Sequence, residues 1–212
     1  MAQYFQIHSL NPQPRLIKQA VGIVRDGRVI AYPTDSSYAL GCQIGNKEAM
    51  ARIRRIRRLG DRHDLTLVCR DLSELSLYAR VSNADYRVLK ANTPGPYTFI
   101  LPATRGVPRR LMNPRRKTIG LRIPDHHIVQ ALLEELGEPL MSATLILPDD
   151  QLPLSDPHGI RECLEHEVDL VIDGGYCGWE PTTVVALNDG VATVARRGKG
   201  DIAPFYFIVE PA

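Results

Sequence analysis

At 212 residues, 44% hydrophobic and 24% charged, the chain has room for one sizeable α/β domain, and its composition does not favour large-scale disorder. The formal net charge is only +2, so the arginine distribution carries more information than the total. The four cysteines (Cys42, Cys69, Cys163, Cys177) form no Cys-x-x-Cys pair, which argues against a structural zinc site and a disulfide-dense secreted fold.

The N-terminal stretch MAQYFQIHSLNPQPR lacks a basic region leading into an apolar one. No apolar run approaches the roughly 18 residues of a membrane span. A soluble protein of the cytoplasm is expected. Asn11-Pro12 offers an N-cap and a first-turn proline, and Leu16, Ile17, Ala20, Val21, Ile23 and Val24 keep a helical stripe that Gly27 closes. Val29–Tyr32 reads as a strand. A second helix begins at Asn46 and carries Ala49, Met50, Ile53 and Ile56 on one face, and LTLVC from Leu65 is a short buried strand.

Next come a helix around Asp85–Lys90 and a Pro-Gly-Pro turn feeding a strand from Tyr97 to Leu101. A strand over Lys117–Pro124 is stopped by its proline, and helix HIVQALLEEL ends at Gly137. Strands over Pro139–Leu147, Val168–Ile172, Thr182–Leu187 and Ala192–Ala195, with a helix near His158–His166, complete the order. Some neighbouring strands are too close for a helical crossover, so the expected architecture is one α/β domain over residues 1–212 with a mixed sheet flanked by helices.

Chemistry concentrates in a few stretches. Directly behind the Val29–Tyr32 strand stand Thr34, Asp35, Ser36 and Ser37. Ligands of α/β sheets sit beyond the carboxyl ends of strands, so these residues read as a binding rim or as a self-capped turn. RIRRIRRLGDR packs Arg52, Arg54, Arg55, Arg57, Arg58 and Arg62 together with no acid between the first and fifth; Ile53 and Ile56 face the core, so most of the arginines are expected outside. A second basic segment holds Arg105, Arg109, Arg110, Arg115, Arg116 and Lys117. Both patches suit a polyphosphate or a nucleic-acid backbone. GKGD at Gly198–Asp201 is not a phosphate-binding P-loop, adjacent His126 and His127 diverge on a helix, and no hydrolase elbow or His-Glu-x-x-His is present.

In order along the chain, YPTDSSYALGC, the arginine helix with LTLVCRDLSEL, TPGPYTFIL, KTIGLRIPDH, EPLMSATLIL, PTTVV and VARRGKG together resemble the YrdC/YciO family, nearest to its YciO branch. The resemblance implies a twisted mixed sheet with a basic concave face. It also implies the activity of the threonylcarbamoyl-AMP synthases of tRNA modification, in which a carbamate of threonine and bicarbonate attacks the α-phosphate of ATP and pyrophosphate leaves. Catalysis of that kind is chiefly positioning and charge neutralisation, with Mg²⁺ accompanying ATP.

Carried over by motif, Thr34 and Ser36 fall on the family's strand-end hydroxyls, and Arg122 falls on the arginine that meets the threonine carboxylate. Thr144 and Thr182 fall on hydroxyls near the nucleotide, and Arg196 on a late arginine there. Two motifs depart. The family's Lys-x-Arg is Arg57-Arg58-Leu59, leaving Arg57 and Arg58 as the catalytic cations, and its Ser-x-Asn is Thr144-Leu145-Ile146. Each lost charge-assisted contact is worth ~1.5–3 kcal/mol.

The resemblance implies a YciO-like protein that binds nucleotide (ATP or AMP) and RNA phosphates, with at most weak synthase activity. Arg52, Arg54, Arg55, Arg62, Arg109, Arg110, Arg115 and Arg116 are the expected RNA contacts. The alternatives are an active synthase in which Arg58 or Arg62 supplies the missing arginine, a non-catalytic double-stranded RNA binder in RNA or ribosome maturation, and an enzyme acting on another adenylated substrate.

Overall fold

The structure is a computed structural model that describes all residues except 61–64, 108–110, 112, 114 and 207–212. The candidate residues Arg62, Arg109 and Arg110 lie outside the described residues.

Helix α1 (Pro14–Arg25) packs through Ile17, Ala20, Val21, Ile23 and Val24. Its first-turn proline is Pro14 and its N-cap Gln13, so Pro12 lies before the helix rather than in its first turn. Helix α2 (Lys47–Ile56) starts as expected, with the Asn46 side chain accepting from the Ala49 amide at 3.0 Å. The remaining helices are α3 (Leu72–Tyr78), α4 (Asn83–Asn92), α5 (His127–Leu136), α6 (Pro157–Leu164) and α7 (Ala203–Tyr206). A reciprocal capping box between Ser82 and Asp85 starts α4. Gly137, at φ 74°, ends α5 in the left-handed conformation that glycine adopts without steric penalty.

The strands are β1 (Gln3–Gln6), β2 (Ile30–Tyr32), β3 (Ala39–Gln43), β4 (Thr66–Val68), β5 (Tyr97–Pro102), β6 (Thr118–Arg122), β7 (Leu140–Thr144), β8 (Leu170–Asp173), β9 (Thr183–Asn188) and β10 (Val191–Arg196). They form one mixed sheet in the order β1-β8-β2-β3-β7-β4-β6-β5-β9-β10. The pairs β1/β8, β2/β8, β4/β6 and β5/β9 are parallel, and the others antiparallel. The expected mixed α/β sheet is therefore present, with β1, β3, α3 and α7 as further elements. Strand β7 stops at Thr144, short of Leu147.

Alternation along the strands separates two cores. On one face Leu40, Leu67, Phe99, Leu121, Met141 and Val185 pack with Met50 and Ile53 of α2, Leu75 of α3, Leu89 of α4 and Ile160 of α6. On the other, Ile30, Tyr32, Leu140, Leu170 and Ile172 pack under α1 and α5. That second helical layer leaves part of its face open, over β7, β4, β6, β5 and β9.

Candidate functional site

The open part of the face is a cavity of about 400 Å³. Strand register sets its floor. Thr66 pairs with Ser142 on one side and Gly120 on the other, and Gly120 pairs with Ile100, so one row of side chains points into it. A Cβ on Gly120 would stand 3.3 Å from the Thr66 hydroxyl and 3.5 Å from Thr98 Cγ2, so the missing side chain deepens the floor between two threonines. Thr98, Thr118 and Thr144 add hydroxyls, and Val68, Ile100, Ile146 and Val184 add apolar surface. At one edge the buried Tyr32 hydroxyl donates to Ser142 Oγ at 2.7 Å, because Ser142 uses its own proton on the Leu40 carbonyl at 3.1 Å. Burial pushes the Tyr32 phenol up to about 12, keeping it a neutral donor.

Among the described residues, the guanidiniums of Arg57, Arg122 and Arg196 line the cavity and no lining residue is acidic. Arg57 donates to the Thr144 carbonyl, and its Nε is buried without a partner among the described residues. Arg196 donates to the Thr182 carbonyl at 2.9 Å and Oγ1 at 3.3 Å, and Thr182 Oγ1 shares a proton with Thr98 Oγ1 at 2.8 Å. Desolvation by burial, then the charge of Arg196, lowers the Arg57 guanidinium from its ordinary value, and burial lowers Arg196 as well. Neither makes an ion pair among the described residues. Two like charges facing one cavity without a counter-ion are a ready site for an anion.

Arg122 is built differently. Its Nη2 donates to Asp35 Oδ1, to Ser36 Oγ at 3.0 Å and to Thr34 Oγ1 at 3.3 Å, and its Nε is buried without a partner among the described residues. Asp35 Oδ2 accepts from the Asp125 amide at 3.0 Å. Thr34 Oγ1 also donates to the Ser37 carbonyl at 2.6 Å and accepts from the Ser36 and Ser37 amides. The self-capped turn thus supports the site through Arg122. Thr34 and Ser36 do not line the cavity; they stand behind Arg122 and hold it, while Ser37 reaches the wall.

The sheet-end rule misplaces the site, which lies on the face of the sheet rather than beyond its strands. Residues two apart along the strands (Thr66-x-Val68, Thr98-x-Ile100, Thr118-x-Gly120-x-Arg122, Ser142-x-Thr144) put hydroxyls, small aliphatics and Arg122 on that one face, and this spacing carries its signal.

The structure brings Arg57, Arg122, Thr144, Thr182 and Arg196 together, as the motifs imply. Arg58 turns away at φ 46°, exposed, and pairs with Asp149 at 3.3 Å. Leu59 packs against the main core, so the space of the missing arginine is not open to the cavity there. Ile146 does line it.

No acid stands among Arg52–Arg58 in the sequence, but two reach this helix in space. Arg52 pairs with Asp169 at 2.7 Å and Arg55 with Glu167 at 3.3 Å, acids brought in from far along the chain. Arg54 is half-buried, its Nε unpartnered among the described residues. Arg115 and Arg116 are exposed in the turn before β6, their amides donating to Asn113 Oδ1.

Residues 22–198 match the Sua5/YciO/YrdC family model, described as "Telomere recombination". YciO of Escherichia coli K12 is 58% identical over 205 residues, 97% of this chain and 100% of its own, and its crystal structure superposes with a TM-score of 0.93. The threonylcarbamoyl-AMP synthase of Vibrio vulnificus is 29% identical over 161 residues, 74% of this chain and 86% of that protein. P. abyssi Sua5, crystallised with L-threonine, shares the fold at 24% identity, with a TM-score of 0.83 over 92% of this chain and 57% of its own. With a family match across most of its length and a full-length relative at 58% identity, the chain belongs to the Sua5/YciO/YrdC family.

Proposed function

We propose that the cavity binds a nucleoside phosphate at Arg57 and Arg196 and a small carboxylic acid at Arg122, with at most weak threonylcarbamoyl-AMP synthesis. The observation that carries this reading is the pair Arg57 and Arg196, two cations on one cavity wall with no acidic partner among the described residues. An anion between them removes their mutual repulsion and satisfies buried donors. Thr144 and Thr182, whose carbonyls accept from the same guanidiniums, both line the cavity and offer hydroxyls to orient a phosphate.

In the family reaction a carbamate oxygen of threonine attacks the α-phosphorus and pyrophosphate leaves. Arg122, held by Thr34, Asp35 and Ser36, is the fork for the amino-acid carboxylate. Ile146 offers no hydrogen bond where the family motif has an amide, and Arg58 lies outside the cavity, which together support a slow reaction. None of the described residues lining the cavity is an acid that could hold a Mg²⁺. The ion would enter on the phosphates, as it commonly does in nucleotide sites.

Calorimetry with ATP and AMP tests the reading. Binding is expected, weakened about tenfold or more by Arg196→Ala. Failure of both nucleotides to bind the folded protein at millimolar concentration refutes it. Pyrophosphate release in the presence of threonine and bicarbonate separates the weak-activity reading from a fully active synthase.

A second reading, binding of duplex RNA, is favoured by the exposed Arg115 and Arg116. It is weakened where Arg52 and Arg55 are already paired. Arg115→Glu with Arg116→Glu should lower affinity uniformly across sequences and flatten its salt dependence. Unchanged binding of a duplex by that variant removes the RNA reading.

A further inference from the structure

Between β8 and β9 the chain passes through Gly174–Pro181, and this segment carries two of the most exposed aromatic side chains of the described residues, Tyr176 at 78% and Trp179 at 60%. Tryptophan is usually well covered, and Trp179 is the chain's one tryptophan. It has no ring or cation contact among the described residues.

The segment that presents it is fixed. The Tyr38 hydroxyl donates to the Gly175 carbonyl at 2.8 Å and accepts from the Gly174 amide at 3.3 Å. The Cys177 amide donates to the Ser155 carbonyl at 3.2 Å. Gly178 lies on the Ser36 carbonyl so closely that a Cβ would stand 2.7 Å from it, beside the Lys199 ammonium at 3.8 Å. An apolar ring is thus held in water on a braced backbone, one residue after the glycine that packs on the turn holding Arg122.

Three residues after Trp179, Thr182 lines the cavity and accepts from Arg196. Three residues of extended chain span at most ~10 Å, so the backbone of Trp179 lies within a nucleotide's length of that of Thr182, the acceptor of Arg196. Inside the cavity the described side chains are hydroxyls, guanidiniums and small aliphatics, and none of them is aromatic. Aromatic faces stack on any base, and cations nearby add to that attraction.

We infer that Trp179 is the base-stacking residue for a nucleotide whose phosphates lie on Arg57 and Arg196, so that the base sits at the rim rather than in the cavity. This rests on the nucleotide reading above.

Because Trp179 is alone, its fluorescence reports this one position. Titration with ATP is expected to give a saturable change in indole emission. Inorganic tripolyphosphate, which fills the phosphate site without a base, should bind by calorimetry and leave the emission unchanged. Trp179→Ala should weaken ATP about tenfold and tripolyphosphate not at all, and Trp179→Phe should retain most of the ATP affinity. If ATP and tripolyphosphate both bind but the indole is silent, or if Trp179→Ala binds ATP as wild type does, the stacking role is refuted while the phosphate site stands. If neither ligand binds, the phosphate site fails and the stacking role falls with it.

Discussion

Replacing Asp35 by alanine isolates the one ion pair buried at the site. The side chains of Arg122 and Asp35 are only 8% and 9% exposed, so the deletion leaves a guanidinium in a low-dielectric wall with its counter-charge gone. Removing one partner of a buried pair costs about 3–5 kcal/mol. Thr34 and Ser36 continue to accept from Nη2, and the Asp125 amide that loses Asp35 lies at the surface, which places the expected loss near 3 kcal/mol.

In urea at pH 7 the midpoint should fall by about 1–1.5 M at an unchanged slope of about 2–3 kcal/mol/M. Adding Arg122→Met to Asp35→Ala removes the orphaned charge and should return much of the loss. The single variant should also gain more than wild type from millimolar sulfate or acetate, since its guanidinium then lacks a resident anion. A loss under about 1 kcal/mol, or a double variant no better than the single, refutes the argument that Asp35 is the counter-ion holding Arg122 in place.

Burial, opposed in part by Asp35, holds the His126 imidazole down to about 4, and its Nδ1 has no partner among the described residues. The unfolded chain takes up that proton near pH 6.5, so it binds more protons than the folded chain between there and about 4. Stability should therefore fall by about 2–3 kcal/mol as pH drops through that window and level off below it. Urea titrations at a series of pH values should show His126→Asn lacking this component. Ile146→Asn should raise pyrophosphate release about tenfold in a threonine- and bicarbonate-dependent assay, because it restores a hydrogen-bonding group to the cavity wall. Leu59→Arg, which places a charge against the main core, should lower the melting temperature without raising that rate. Gly198→Ala should destabilise by about 2 kcal/mol or more in thermal melts, since its Cβ would run into the backbone of Pro181 and Thr182, which cannot retreat as a side-chain tip can.

What was readable in the sequence is what local physics controls. The stripe of α1, the Asn46 cap and the Gly137 stop each depend on residues within a turn or two, and each stands in the structure. Strand β1 was not legible. It is an edge strand with exposed glutamines at both ends, fixed mainly by parallel pairing with β8 across most of the chain. Strand β3 was hidden because it starts almost directly after the polar turn and is defined by pairing with β2 and with β7, a hundred residues on. At the site, motif order located Arg57, Arg122, Thr144, Thr182 and Arg196, but the orientation of Arg58 and Leu59 depends on a helix end that the motif does not specify. The partners of Arg52 and Arg55 lie more than a hundred residues away, so counting acids near the arginines in sequence could not reveal them.

Helices complete one face of the sheet, but on the other α1 and α5 stop partway, and among the described residues seven hydroxyl side chains and three guanidiniums line the space where a continued layer would have placed aliphatics. Fully burying one aliphatic side chain contributes about 1.5–3 kcal/mol, so the bare floor is stability that the unliganded fold forgoes. Whatever fills the cavity acts as the absent layer, and its binding energy is added to the folding free energy, about 2.7 kcal/mol at a hundredfold excess over Kd. The melting temperature of this protein is then itself a gauge of occupancy: solutes that raise it and lose that effect in Arg196→Ala are ones the cavity was shaped to hold.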